Sequence, residues 1–204
     1  MNTFTLDQQR EQFRQRRFLA MPLAGMLVWT VIGLIGFFAQ SVETKVWSVW
    51  LGCGAIFYLG IFFAKLTGED FFNRKGPKNE FDNLFMAGVV MALLVFAIVM
   101  PFATKENESI PMSVGILAGL MWMPLSWAIQ HWVGYFHAIT RTIGIVTCYF
   151  VAPEHVFVTV PAVIVVIYMI SIYIQEKRYA NIKVSTDSKN DLLTATSFKT
   201  SLAK

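Results

Sequence analysis

The most constraining feature of this chain is a succession of apolar runs about twenty residues long, at 18–39, 46–66, 84–102, 110–130 and 156–174, with short polar or charged stretches between them. Runs of that length match a hydrocarbon layer of about 30 Å. Inside such a layer each backbone N–H and C=O must be satisfied within the chain, which favours helices. Composition agrees: 55% of the 204 residues are hydrophobic and only 15% are charged, against about 25% charged in soluble domains. The expected fold is all-α, a single polytopic transmembrane helical bundle at 18–174 whose first solvent is the lipid bilayer. The net charge of +4 is not a nucleic-acid footprint, because the basic residues cluster at the edges of apolar runs.

The positions of those charges predict topology. Arg10, Arg14, Arg16 and Arg17 precede the first run, and Lys177, Arg178 and Lys183 follow the last, so both termini are expected in the cytoplasm. The number of crossings must then be even. Five runs are plain, so the mixed stretch 133–151 has to supply a sixth; its 19 residues rise about 28 Å as a helix, enough to cross. Arg74, Lys75 and Lys78 then fall inside, while the outer loops carry only Lys45 and Lys105. A multi-pass protein of a cytoplasmic-type (plasma or inner) membrane is expected, its first run serving as an uncleaved signal anchor.

Outside the membrane, Thr5 with Gln8 can form a capping box that starts a short helix within the basic segment 1–17. Leu6 and Phe13, seven apart, would share its apolar face and lay it along the interface; a frayed tail is the alternative. The segment 67–83 reads as a solvated loop turning at Gly76-Pro77. The Ser/Thr/Lys/Asn-rich tail at 175–204 lacks the apolar surface to order itself and is expected to be disordered. Gly33, Gly36, Gly52, Gly54 and Gly60 allow close helix packing. Gly115 and Gly119 form a GxxxG face through which two copies could pair. Pro124 should kink or unwind the fourth helix. Cys53 and Cys148 lie in apolar runs and are read as packing residues.

One stretch departs from the pattern. Residues 126–141, SWAIQHWVGYFHAITR, carry Gln130, His131, Tyr135, His137 and Arg141 between strongly apolar segments. A charge near the bilayer centre costs about 2.5–3.5 kcal/mol on insertion scales. His137 and Arg141, four apart, share a helix face. Two accounts are open: Arg141 snorkels to the interface along its long stem, or it lines a polar pocket in which arginine meets an anion and histidine handles protons. On the second account Gln130, His131, Tyr135, His137 and Arg141 mark a substrate or proton pathway.

No serine-hydrolase elbow, HExxH zinc motif, Walker sequence or Cys/His ligand cluster occurs, so no cofactor or metal is implied and no enzyme class is supported. The readings that remain are a small transporter or channel for an anion or proton-linked solute, a membrane regulator acting through 67–83 and the tail, and an enzyme with an unrecognised site.

Overall fold

A computed structural model describes residues 4–70 and 78–202. Every regular element among them is helical: α1 Leu6–Arg14, α2 Ala20–Phe38, α3 Val42–Thr67, α4 Glu80–Ala103, α5 Ser109–Leu120, α6 Trp122–Ala128, α7 Val133–Val151 and α8 Val156–Leu202, with a single 3-10 turn at Pro153–His155 before α8. Five segments are long and apolar enough to cross a membrane: α2, α3, α4, the α5–α6 pair and α8. α7 has the same 19 residues as α2 but is less apolar, because His137, Arg141 and three threonines occupy it. The polar groups that mark it in the sequence are those that lower its hydropathy.

The α5–α6 break sits where proline chemistry puts it. Pro124 has no N–H to give the carbonyl of Leu120, and the helix is interrupted at Met121, one turn earlier. α1 begins with the expected capping box, Thr5 Oγ1 accepting from the Gln8 amide and the Gln8 side chain accepting from the Thr5 amide. It does not present both apolar residues to one surface: Leu6 is exposed, while Phe13 is buried against Phe18 and Phe81.

α1 fastens several chain segments together. Asn79, the N-cap of α4, donates to the carbonyl of Gln9 at 2.7 Å, and the Gln9 side chain accepts from the Glu80 amide at 2.9 Å. Arg10 lies over the rings of Trp127 and Phe81, at 4.2 and 5.3 Å from their centroids. Arg16 forks onto Asp82 and Arg17 onto Glu176. The starts of α2 and α4, the ends of α3 and α6 and the middle of α8 therefore meet at one end of the bundle. At the other end the Tyr149 hydroxyl donates to Glu106 at 2.7 Å, tying the loop before α5 to the end of α7.

Four expectations change. The tail does not leave the helix at 175: α8 continues to Leu202, its first turns held by Glu176 and by Arg178, which donates to the carbonyls of Arg14 and Arg16 at 2.7 and 2.9 Å. Tertiary bonds to the α1–α2 junction, which composition cannot reveal, hold those turns. In 67–83 the flanking acids are not simply solvated, since Glu69 accepts from amides at the start of α2 and Asp82 pairs with Arg16; Arg74, Lys75 and the Gly76-Pro77 turn lie outside the described residues. The GxxxG face is used within the chain: a Cβ on Gly115 would lie 2.9 Å from Ile145, and one on Gly119 2.8 Å from Arg141. Of the packing glycines, Gly36 touches the backbone of Phe157 and Gly60 the side chain of Met21, whereas Gly54 faces open space.

Glu69 does the work of an N-cap from a distance. Leu19, at the cap position of α2, has no side chain able to accept, and the Glu69 carboxylate takes the Leu19 and Ala20 amides at 3.2 and 3.1 Å along with the Thr67 hydroxyl at 3.0 Å. Those bonds satisfy donors a helix start leaves unpaired, and a negative charge suits the helix dipole. Burial nevertheless dominates and raises the Glu69 carboxyl above the usual glutamate range, with the hydrogen bonds and Arg17 acting in the opposite direction. For a raised pKa, the stabilising contribution is full below the unfolded value, about 4.3, and is lost as pH rises through the folded one. Thermal unfolding should therefore give a Glu69→Gln variant with a flatter pH dependence above about pH 4.3, and a Glu69→Ala variant destabilised by about 1 kcal/mol through loss of the cap. An unchanged slope in Glu69→Gln would contradict this role.

Candidate functional site

Arg141 is the ninth residue of α7, about 12 Å along the helix from Val133, and it is fully buried. It does not snorkel. Three other helices surround it together with α7's own His137: Gly119 of α5 lies against its stem, and its guanidinium carbon stands 5.5 Å from the ring of Trp29 on α2 and 5.4 Å from that of Tyr168 on α8. Such cation–π contacts are each worth about 0.5–2 kcal/mol. They compensate part of what a guanidinium loses by leaving water.

His137 holds the guanidinium from one side. Its Nε2 is 3.3 Å from Arg141 Nη1 and its Nδ1 is 2.9 Å from Ser171 Oγ. Arginine has donors only, so Nε2 accepts, and the proton sits on Nδ1, which donates to the Ser171 hydroxyl. This specifies the neutral Nδ1–H tautomer. Trp122 stacks on the imidazole with centroids 3.9 Å apart and planes 10° from parallel, and Tyr168 meets it edge-on at 4.8 Å. The ring is held at both nitrogens, stacked under Trp122 and met by Tyr168, as a positioning residue requires.

The remaining donors of Arg141 are not paired. Its Nε and Nη2, and the indole Nε1 of Trp29, are buried without a hydrogen-bond partner among the described residues. A buried donor left unsatisfied costs about 1–3 kcal/mol, so three of them around one charge form a costly arrangement. No carboxylate among the described residues bonds to Arg141. What the site can do chemically follows: it offers the unpaired Nε–H and Nη2–H of one guanidinium and a positive charge to a ligand that brings only acceptors.

The sequence-level candidates divide. His137 and Arg141 meet as their spacing predicts. Gln130 and His131 build the α6–α7 turn, and Tyr135, two residues before His137 on α7, falls on the other side of that helix. Gln130 is exposed and takes φ 51°, the left-handed conformation that ends a helix. The Nδ1 of His131 accepts from the Val133 amide at 3.3 Å, and burial, followed by the Arg178 charge, holds its ring below the usual histidine range. Tyr135 is partly exposed, its amide bonded to Ser126 Oγ at 3.2 Å. Gly134 lets this turn close, since a Cβ there would sit 2.1 Å from the Trp122 carbonyl; that close approach seats Trp122 on His137. Trp29, Gly119, Trp122, Tyr168 and Ser171 complete the site. Their only sequence signal is position, two tryptophans deep in apolar runs and a lone serine in the last one.

Gly119→Ala should push Arg141 from its seat, because the new methyl would lie 2.8 Å from Cδ and 3.2 Å from Nε. A loss of about 1–3 kcal/mol is expected from overpacking. Gly54→Ala, which faces open space, should be neutral or stabilising by up to about 1 kcal/mol. Thermal unfolding of the two variants in lipid nanodiscs checks the contrast, and equal stability would contradict the packing around Arg141.

No curated protein and no solved structure matches the chain. A family model does match, over residues 6–176, from the first residue of α1 to the glutamate that pairs with Arg17. On that match the chain belongs to DUF7010, a family of unknown function.

Proposed function

We propose that this protein is a small multi-pass transporter or channel for an anion, crossing a cytoplasmic-type membrane six times with both termini inside. The observation that carries the reading is Arg141: a fully buried guanidinium with unpaired Nε and Nη2 and no acidic partner among the described residues. Intramembrane ionisable residues of this kind mark ion and substrate pathways. The six-span topology is supported by the alternation of helix ends and by the basic residues gathered where α1, α2 and α8 meet. An anion is favoured over a proton as the transported species because His137 is engaged at both nitrogens.

Proteoliposomes containing the full chain, with flux of chloride, nitrate and acetate driven by a potassium diffusion potential, test this directly. Flux above protein-free vesicles is expected for at least one anion. Arg141→Lys, which keeps the charge but not the planar fork, should lower it about tenfold at near-normal expression, the equivalent of one lost hydrogen bond to a charged group. No flux for any anion, or wild-type flux in Arg141→Lys, would overturn the reading.

A second reading has one observation in its favour. α8 runs 26 residues beyond Glu176 to Leu202, about 39 Å of helix past the end of the family match at 176. This extension suits a regulator that docks a cytoplasmic partner through 67–83 and the tail. Stopping the chain after Asp187 should leave flux intact under the transport reading; loss of function in a stably inserted truncated protein would favour regulation.

A further inference from the structure

We infer that the ligand of the Arg141 site is a small monocarboxylate, gripped by Nε and Nη2 of Arg141. This rests on the reading of Arg141 as an anion contact and adds the substrate class. The warrant is which donors are unpaired. Nη1 is engaged with His137, and the two that remain, Nε and Nη2, form one edge of the guanidinium. Their N–H bonds run parallel and match the two oxygens of a carboxylate.

The same chain sets that edge on a carboxylate twice, while Arg16 uses Nη1 and Nη2 on Asp82. Arg14 bonds Glu11 through Nε at 2.8 Å and Nη2 at 3.1 Å, and Arg17 bonds Glu176 through Nε at 3.0 Å together with Nη2. At Arg141 the equivalent carboxylate is not provided by the described residues, so it has to come from outside. The surroundings restrict its remainder. Trp29 and Tyr168 are aromatic walls on which a short apolar group can rest, and they offer too few donors for the additional oxygens of phosphate. Because Arg141 is 0% exposed between α2, α5, α7 and α8, neither a lipid headgroup nor a side chain of another protein reaches it from the surface; a free anion of a few carbons is the source that fits.

Equilibrium binding separates this inference from transport. The full-length protein in lipid nanodiscs, at about pH 7 where acetate is ionised, is unfolded thermally while acetate replaces chloride mole for mole at constant ionic strength. Acetate should raise the midpoint saturably, with an apparent affinity about tenfold above that for chloride, because a spherical ion cannot use both parallel donors. Pivalate, with the same head and a bulkier body, should not. Arg141→Lys should abolish the difference between acetate and chloride. Should Arg141→Lys fail to fold, the comparison of acetate with pivalate and chloride still decides. Equal effects of acetate and chloride, or an acetate effect that persists in Arg141→Lys, would overturn the carboxylate inference. Chloride flux that depends on Arg141 would leave the anion reading standing in that event.

Discussion

A guanidinium halfway along an apolar helix has to be enclosed, and the bundle is arranged around that requirement. Arginine keeps its charge in proteins, so the choices are to reach water or to be surrounded by groups that replace it. Here the second holds: Trp29 and Tyr168 supply aromatic faces, His137 supplies an acceptor, and Gly119 yields the space its stem occupies. The closest helix contacts serve the same end. Gly25 lets the hydroxyl of Tyr168 approach α2, and Gly134 lets α6 fold onto α7 so that Trp122 caps the imidazole.

The end of the bundle that carries α1 solves a different problem with the same residue type. Arg16 and Arg17 forked onto acids, Arg178 bonded to two carbonyls and Arg10 stacked on aromatic rings close the junction of α1, α2, α4, α6 and α8. Exposed ion pairs contribute little singly, typically about 0–1 kcal/mol. Their value here is geometric, since each joins elements far apart in sequence, and Arg17–Glu176 spans 159 positions. That network orders the first turns of α8 beyond the apolar run, where local composition alone would predict none. The contrast with Arg141 is informative: Arg16 and Arg17 fork onto carboxylates and Arg178 onto two carbonyls, whereas Arg141 leaves both Nε and Nη2 without an acceptor, and Arg10 leaves only its Nε so.

Reading from sequence succeeded where one helix suffices. The spacing of His137 and Arg141, the capping box at Thr5 and Gln8 and the break caused by Pro124 are all properties of consecutive residues, and all appear as expected. It fell short where two distant segments meet. Nothing in the order of residues says that Glu69 caps α2, that Gly119 faces Arg141 instead of a second copy, or that Glu176 prolongs a helix by pairing with Arg17. Proximity along the chain groups Gln130, His131 and Tyr135 with Arg141. The turn at Gln130 separates Gln130 and His131 from the helix that carries Arg141, and Tyr135, two residues before His137 on α7, falls on the other side of that helix, so polarity at a given depth marks the region but not its membership.

The central claim is that Arg141 resides in the interior with its Nε–H unpaired. Exchange of that proton with water, read by solid-state nuclear magnetic resonance of the nitrogen-labelled protein in bilayers and assigned by its loss in Arg141→Lys, tests this most directly. The account predicts a protected Nε–H with no transfer from bulk water, distinct from the rapidly exchanging Nε–H groups of exposed arginines. Rapid exchange at Arg141 would place the side chain at the interface and contradict the enclosed site.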